Sequence, residues 1–246
     1  MKERWVIARV DGSGPGMGAA RWAATEAVRR GCALRLLGTR APGELDRPLV
    51  VVRLRHPGLT VATERVDHPL PALMAAGADG ELLVVSALHR EAMQLAGGAP
   101  CPVAMVRMAH AGEVVLGLDA RRPDDTATGF AFEVARRDGH RLRAVHAWQL
   151  PLPYEGRTPY PVLEDDRAEW EDEEVQTLAD ALRSWREKYP EVEVIPDVRL
   201  FTASWALVNA SARAEMVVLG RGPDGLGPVG HAVAEFAESP VVFVPR

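Results

Sequence analysis

The sequence predicts an α/β fold built from two similar units, each a mainly parallel five-stranded sheet flanked by helices. Short runs of β-branched residues alternate with helical patterns along the chain, as is typical of parallel strands joined by crossover helices. A long segment near the N-terminus also matches a later segment without gaps. In addition, the glycine-rich turn Gly220–Pro228 follows an apolar run and precedes an alanine-rich segment. Such turns commonly bind phosphate in α/β proteins.

Length and composition narrow the class of protein. The chain has 246 residues, of which 47% are hydrophobic and 26% charged, and this is ordinary for one large or two average globular domains. A net charge of -5 gives no reason to expect a nucleic-acid partner. Cys32 and Cys101 form no CxxC motif, and the sequence has neither an apolar leader nor a run of about 18 apolar residues. We therefore expect a cytoplasmic protein without a membrane span, disulfide or zinc site.

The chain contains an internal repeat. Val6–Gly38 aligns with Val114–His146 without gaps, so that Asp11 is paired with Asp119. The alignment also pairs identical residues at Pro15 and Pro123, Ala27 and Ala135, Arg29 and Arg137, Gly31 and Gly139, and Leu34 and Leu142. The repeat predicts two domains of one kind, residues 1–109 and 110–246, with the joint near residues 109–113.

The first unit is predicted to alternate strands and helices throughout. Ser13 or a neighbour is expected to cap the first helix, and Gly31 follows that helix at the C-cap position. The predicted strands are Trp5–Val10, Ala33–Leu37, Leu59–Val66, Glu81–Ser86 and Val103–Met108. The predicted helices are Met17–Arg30 and Pro69–Ala78, with short helices near Leu49–Leu54 and Glu91–Ala96.

The second unit is predicted to repeat this order in a fuller form. The predicted strands are Val114–Leu118, Leu142–His146, Glu193–Leu200, Met216–Leu219 and Val241–Val244. The predicted helices are Thr126–Asp138, Leu163–Tyr189, Ala203–Ala212 and Val229–Glu238, with a loop over Trp148–Pro161. Where this unit has that loop and a long helix, the first unit has only Arg40–Gly58, which is rich in Pro and Gly. The first unit is therefore predicted to be trimmed, with its second and fourth helices shortened.

Several short motifs occur in the same order in both units. The first unit carries Val6-Ile-Ala-Arg-Val-Asp11-Gly-Ser13, and the second carries Asp119, Ala131-Phe-Glu-Val-Ala-Arg-Arg137 and Val145-His-Ala-Trp148. The units end in Ala99-Pro-Cys101-Pro-Val and Glu238-Ser-Pro240-Val-Val. In these motifs the chain resembles the tandem, two-domain form of the universal stress protein family. The resemblance implies Rossmann-like (adenine nucleotide alpha hydrolase-like) domains that meet through their last strands.

The resemblance also implies where an adenine nucleotide would bind. In the nucleotide-binding branch of the family, a carboxylate at the end of the first strand lies beside the adenosine, and Asp11 and Asp119 match it. A loop of pattern G-x2-G-x9-G-[S/T] after the fourth strand wraps the phosphates, and here the candidates are Gly220, Gly222 and Gly227. For each aspartate, capping of the following turn or helix is an equally good interpretation.

The glycine loop departs from that family pattern. Only six residues separate Gly220 from Gly227, which is half the separation that the pattern requires. Pro228 stands where the pattern has Ser or Thr, so a hydroxyl and a backbone N–H are both lost. In the first unit, Ser86 occupies the position of the first glycine. Arg221 is expected to be a solvated surface residue. We therefore predict that both phosphate sites are degenerate.

The sequence contains no other constellation that predicts catalysis or metal binding. Its histidines lack ligand-like spacing, and no G-x-S-x-G motif occurs. The first hypothesis is a non-enzymatic, regulatory or interaction-based protein that needs no cofactor. The alternative is an ATP- or AMP-binding stress sensor that uses the second domain, with at most weak ATPase activity. The two domains are expected to form an intramolecular pseudo-dimer, and both a monomer and a homodimer of chains are compatible with this arrangement.

Overall fold

A computed structural model of the protein describes residues 4–109, 111–150 and 164–246, with side chains from residue 167 onward in the last range. Strands and helices alternate along both halves of the chain. The N-terminal half, residues 4–109, contains β1 Trp5–Arg9, α1 Gly14–Arg30, β2 Ala33–Gly38, α2 Asp46–Arg55, β3 Val61–Arg65, α3 Pro69–Gly77, β4 Gly80–Ser86, α4 Ala92–Gly98 and β5 Val103–Val106. The C-terminal half, residues 111–246, contains β6 Glu113–Gly117, α5 Asp125–Asp138, β7 Leu142–Trp148, α6 Glu164–Lys188, β8 Val194–Leu200, α7 Ala203–Ser211, β9 Ala214–Arg221, α8 Pro228–Phe236 and β10 Val241–Pro245.

These strands form one sheet in the order β3-β2-β1-β4-β5-β10-β9-β6-β7-β8. Neighbouring strands are parallel except at the centre, where β5 and β10 run antiparallel with Val242 opposite Ala104. The predicted α/β class, with a mostly parallel sheet and flanking helices, is confirmed. The halves join through their last strands, as the resemblance implied, and the result is a single ten-stranded sheet.

Helices cover both faces of the sheet. On one face, α1, α2, α5 and α6 pack over a core that runs through both halves and includes Phe132 and Leu182. On the other face, α3, α4, α7 and α8 supply Leu95, Leu207 and Val233 to a second core. Central strands are therefore buried on both sides, which explains why β4 and β10 are nearly continuous apolar runs.

Capping residues determine where the first helix of each half begins and ends. The Ser13 hydroxyl accepts a hydrogen bond from the backbone N–H of Gly16 at 3.0 Å, so α1 starts at Gly14, before the predicted Met17. Gly31 and its repeat equivalent in α5, Gly139, end their helices with φ angles of 62° and 68°. These left-handed conformations favour glycine, and they confirm the predicted C-cap at the end of α1.

Two short helices of the N-terminal half differ from their predicted bounds. The second helix is longer than the predicted Leu49–Leu54, because its first turn tolerates Pro48. The fourth is shifted slightly beyond the predicted Glu91–Ala96. The predicted loop Trp148–Pro161 lies outside the described residues from residue 151 onward, as do the predicted helix start at residue 163 and residue 110 in the predicted joint. The division into domains 1–109 and 110–246 stays a prediction.

Ion pairs also join the two halves at the ends of α1 and α5. Glu26 is buried on α1 and accepts a hydrogen bond from Arg137 of α5 at 3.1 Å. Arg29 of α1 lies 3.0 Å from Glu215 and 3.7 Å from Asp138. A buried carboxylate that loses its partner is strongly destabilising. These pairs therefore favour one relative position of the halves.

Candidate functional site

A cavity of about 390 Å³ lies at the carboxyl ends of β6 and β9 in the C-terminal half. These two strands are neighbours in the sheet, but the chain leaves them toward opposite sides. Such a switch point is where open α/β sheets characteristically bind ligands. Most of the lining is apolar and comes from β6, β7, β9, α5, α7, α8 and the loops after β6 and before α8, including Leu116, Leu118, Ala127, Leu207, Leu219, Leu226 and Val229.

Asp119 lies just beyond the end of β6 and lines this cavity. One of its carboxylate oxygens accepts the backbone N–H of Arg121 at 3.1 Å, which closes a local turn. The other lies 3.4 Å from Arg122 Nε. The side chain remains 48% exposed. The two interpretations of the sequence are thus compatible here, because Asp119 shapes the turn and also lines the cavity.

A second carboxylate, that of Asp124, lines the cavity beside Gly220. A Cβ at residue 220 would overlap the carboxylate of Asp124, so the absence of a side chain there makes room for it. Asp124 caps α5 by accepting the backbone N–H groups of Thr126 and Ala127. It also binds Arg246 Nε at 2.8 Å. Sequence reasoning missed Asp124 as a cavity residue, although its place before a predicted helix indicated a cap.

The glycine loop contacts the N-terminal half of the molecule. Arg221 donates hydrogen bonds to the carbonyl oxygens of Gly97, at 2.6 Å, and Ala99, at the C-terminal end of α4. Gly225 has a φ angle of 92°, and a Cβ there would lie 3.3 Å from the Gly97 oxygen. The prediction of a solvated Arg221 was therefore wrong. A guanidinium at a helix C-terminus is favoured because the free carbonyls and the helix dipole attract positive charge.

The predicted glycines occupy two different surroundings. Gly220 and Gly227 line the cavity together with Asp119. Gly222 instead forms a tight turn, accepting the backbone N–H of Gly225 at 3.2 Å. Proline at the first position of α8 leaves fewer backbone donors facing the cavity, because Pro228 has no N–H.

In the N-terminal half, Asp11 lies at the equivalent position after β1, and its hydrogen bonds stabilise the turn that follows. Its carboxylate accepts the hydroxyl of Ser13 at 2.6 Å and the backbone N–H of Ser13 at 3.0 Å. Burial raises the pKa of Asp11, but the two bonds from Ser13, together with the nearby His89 and Arg9, outweigh burial, and the pKa lies below its ordinary value. A Cβ at Gly16 would overlap this carboxylate. Asp11 is thus distant from the cavity that Asp119 lines.

Buried charges fill the space beside Asp11. The guanidinium of Arg9, 6% exposed, lies 2.9 Å from Glu44 and 4.0 Å from Glu91. Glu44 also accepts the backbone N–H of Thr39 at 2.7 Å. Burial and the nearby Arg9 lower the pKa of His89, which lies against Glu91. We call Arg9, Glu44, Glu91 and His89 the ion cluster. The corresponding position to Arg9 in the repeat is Gly117, whose lack of a side chain leaves room for Leu207 and Leu219.

The described residues were compared with the requirements for a membrane-spanning helix and for a metal site. No helix among them is both long and apolar enough to cross a bilayer. In the same ranges, no three His, Cys, Asp or Glu side chains come together in a way that would hold a metal ion.

The fold and the cavity define a class of protein: a tandem α/β protein with a ligand-sized cavity at the switch point of its C-terminal half. The sequence model of the universal stress protein family matches residues 111–245. Universal stress protein Rv2005c of Mycobacterium tuberculosis is 31% identical over 208 positions, which cover 75% of this chain and 68% of that relative. The chain belongs to the universal stress protein family, and the resemblance drawn from the sequence is confirmed.

Other relatives span nearly the whole chain. Universal stress protein Rv2623 of Mycobacterium tuberculosis is 29% identical over 290 positions, covering 96% of this chain and 95% of the relative. A universal stress protein from Archaeoglobus fulgidus superposes with a TM-score of 0.61 at 12% identity, covering 98% of this chain and 96% of the other. A functionally unknown protein from Pseudomonas aeruginosa PAO1 gives a TM-score of 0.63 at 15% identity, covering 99% and 92%. These structural neighbours support the fold alone.

Proposed function

We propose that the protein is a non-enzymatic, regulatory universal stress protein whose glycine loop docks the two halves instead of wrapping a triphosphate. The observation that carries this proposal is the contact of Arg221 with the C-terminal end of α4. A loop that wraps phosphates must turn its backbone N–H groups toward them. Here the loop is short, and Arg221 and Gly225 both face the N-terminal half.

The absence of enzymatic activity is part of the same proposal. Around the cavity, Asp119 accepts a backbone N–H and pairs with Arg122, and Asp124 caps α5 and pairs with Arg246. A carboxylate that lies beside a guanidinium is suited to accept hydrogen bonds from a bound ligand. The site therefore favours binding over proton transfer.

Isothermal titration with ATP, ADP and AMP tests the proposal. We expect no ATP dissociation constant below about 10 μM, because few contacts remain for the β- and γ-phosphates. Hydrolysis of ATP is expected to equal that of Asp119→Asn, a variant that keeps the size of the side chain and removes its charge. Tighter ATP binding, or hydrolysis above this control, would contradict the proposal.

A second candidate function is binding of a nucleoside or nucleoside monophosphate in the cavity. It is favoured by the size of the cavity, about 390 Å³, near the lower end of the roughly 300–1,000 Å³ of ligand pockets. Its apolar walls suit a base, the carboxylate of Asp119 suits ribose hydroxyls, and the exposed Arg122 and Arg246 suit one phosphate.

Matched aspartate variants test the second candidate. Asp119→Ala is expected to weaken adenosine binding about tenfold or more, since a charged hydrogen-bond acceptor is removed. Asp11→Ala is the control, because Asp11 lies in the other half and is bonded to Ser13. Calorimetry with adenosine and AMP gives both affinities. An equal loss from the two substitutions would rule out the assignment to the C-terminal cavity.

We also propose a cytoplasmic location and an intramolecular pseudo-dimer as the working form. Support comes from the pairing of β5 with β10 inside one chain, which leaves no need for a second chain at that seam. Cell fractionation tests the location. Sedimentation velocity distinguishes a monomer from a homodimer that uses other surfaces.

A further inference from the structure

A buried histidine–glutamate pair lies next to the loop that carries Asp119. His146, on β7, is 4% exposed, and Glu174, on α6, is 6% exposed. The two side chains meet with His146 Nε2 at 3.0 Å from Glu174 Oε2. Burial of such groups is costly unless they are hydrogen-bonded. Each side chain has one further polar atom, and the hydrogen bonds of these two atoms indicate what the pair does.

The second ring nitrogen of His146 binds the Asp119 loop. The backbone N–H of Ala120 points at His146 Nδ1 from 3.3 Å. The carbonyl oxygen of Leu118 also lies 3.3 Å from Nδ1, so this nitrogen contacts the loop on both sides of Asp119, whether it accepts from Ala120 or donates to Leu118. Nε2 carries a proton, because the carboxylate of Glu174 can only accept a hydrogen bond. The ring thus links the residue after Asp119 to helix α6.

Glu174 binds the same loop one residue further on. Its Oε1 accepts a hydrogen bond from Arg121 Nη2 at 2.5 Å. Burial raises the pKa of Glu174, but the hydrogen bonds from Arg121 and His146 outweigh it and lower the pKa below its ordinary value. The carboxylate is therefore ionised at neutral pH and holds both partners by charge-assisted bonds.

We propose that His146 and Glu174 are positioning residues, which hold the loop after β6 in the shape that presents Asp119 to the cavity. The pair fixes Ala120 and Arg121, and the backbone N–H of Arg121 in turn binds the Asp119 carboxylate. The inference rests on the nucleoside site proposed above for the cavity.

The N-terminal half differs at the corresponding positions, where the ion cluster fills the end of β1. The repeat places Gly38 at the position of His146, and a Cβ there would lie only 3.0 Å from the side chain of Leu45. Asp11 is instead bound by Ser13 of its own turn. The buried polar pair thus occurs in the half in which the loop after the first strand lines the cavity.

A double-mutant cycle with adenosine tests whether the pair acts through Asp119. His146→Asn keeps an acceptor near Ala120 but cannot reach Glu174, and we expect it to weaken binding about tenfold. In an Asp119→Asn background, the same substitution should cause no further loss. His68→Asn, an exposed histidine change in the other half, is the control. A full tenfold loss in both backgrounds would overturn the proposal.

A ligand-free measurement keeps the inference testable if adenosine does not bind. Nitrogen-15 NMR of the imidazole should show a proton on Nε2 of His146 in the wild type. In His146→Asn and Glu174→Gln, the amides of residues 118–122 should shift and exchange faster, while those of β9 stay unchanged. Absence of adenosine binding would refute the nucleoside site alone. Unchanged amides at residues 118–122 would refute the positioning role.

Discussion

The two halves differ at the residue that ends the first strand of each half, which is Arg9 in one and its repeat equivalent Gly117 in the other. In the C-terminal half, Gly117 ends β6, and a cavity of about 390 Å³ opens beside it. In the N-terminal half, Arg9 ends β1, and its guanidinium is buried against Glu44 and Glu91. The same architecture thus holds an open site in one half and an ion cluster in the other.

The difference shows that the fold does not require a binding site. Both halves keep the strand order and the capped first helix. What changes is the side chain at the end of the first strand and the segment that covers it. In the N-terminal half, Glu44 and the buried Leu45 close over β1 and β2. The end of the first strand is therefore filled in one half and open in the other, without rearrangement of the sheet.

The largest expected effect comes from removing the centre of the ion cluster. Arg9→Ala leaves Glu44 buried without its cation and Glu91 with only the exposed Arg90, so the free energy of unfolding should fall by about 3–5 kcal/mol. Chemical denaturation at pH 7 measures this. Arg47→Ala, at an exposed arginine of α2, should change stability by less than about 0.5 kcal/mol. A small effect of Arg9→Ala would mean that the cluster is hydrated and only fills space.

A smaller effect is expected from narrowing the cavity. In Gly117→Ala, the new Cβ would press on Leu207 and Leu219, so unfolding should become easier by about 1–3 kcal/mol. Adenosine binding should weaken with it, because both leucines line the cavity. Gly222→Ala, where a Cβ meets nothing within 4 Å, is the matched control. Calorimetry measures adenosine affinity and denaturation measures stability. Equal values for Gly117→Ala and Gly222→Ala would contradict the prediction and show that the cavity tolerates the methyl group.

Release of the glycine loop should have a smaller effect again. Arg221→Gln removes charged donors from the end of α4, with an expected loss of about 1–2 kcal/mol. Hydrogen exchange should quicken in α4 and leave β1 unchanged. Asp224→Ala, an exposed change in the same turn, should alter neither. Equal exchange in α4 for Arg221→Gln and the wild type would indicate that the loop does not hold the halves together.

The smallest expected effect is that of His89 on how the free energy of unfolding depends on pH. Burial, then the nearby Arg9 and, least of all, Arg90 lower the pKa of His89, and together they outweigh Glu91 and Asp11, which raise it. The unfolded chain then takes up the proton first, so the stability from neutral His89 is complete above its ordinary pKa of 6.5 and is lost as the pH falls.

Urea midpoints between about pH 7.5 and 5.5 measure this slope. The decline should be shallower in His89→Asn, whose amide oxygen still accepts the N–H of Glu91 that His89 Nδ1 binds. Parallel curves for the variant and the wild type would contradict the assignment. Asp11, with a pKa below its ordinary value, loses its contribution only at more acid pH.

The sequence predicted the fold well because local signals agree with each other. Periodic apolar runs, Ser13 and the paired glycines Gly31 and Gly139 each specify a boundary from nearby residues. Family membership followed from motifs that occur twice. The bounds of α2 were less accurate, since Pro and Gly near it favoured a shorter helix in the local sequence.

The site was harder to predict because its residues meet only in three dimensions. Of the candidates that the family resemblance implied, Asp119, Gly220 and Gly227 line the cavity, while Asp11 and Gly222 do not. Their role in binding stays a prediction. The contact of Arg221 with Gly97 joins residues of different halves. The His146–Glu174 pair joins β7 to α6 across 28 positions of the chain. No local pattern marks either contact. Only their chemistry, an arginine near a helix end and a histidine in an apolar strand, gave a signal.

The antiparallel pairing of β5 with β10 has a consequence for how the protein responds to its own abundance. Both strands belong to one chain, so their association is intramolecular and is governed by an effective local concentration. A sheet assembled from two separate chains would instead come apart as the protein is diluted. The closed fraction of this seam is therefore independent of the expression level, so the amount of protein in a cell sets how many complete sheets exist, not what fraction of them is complete.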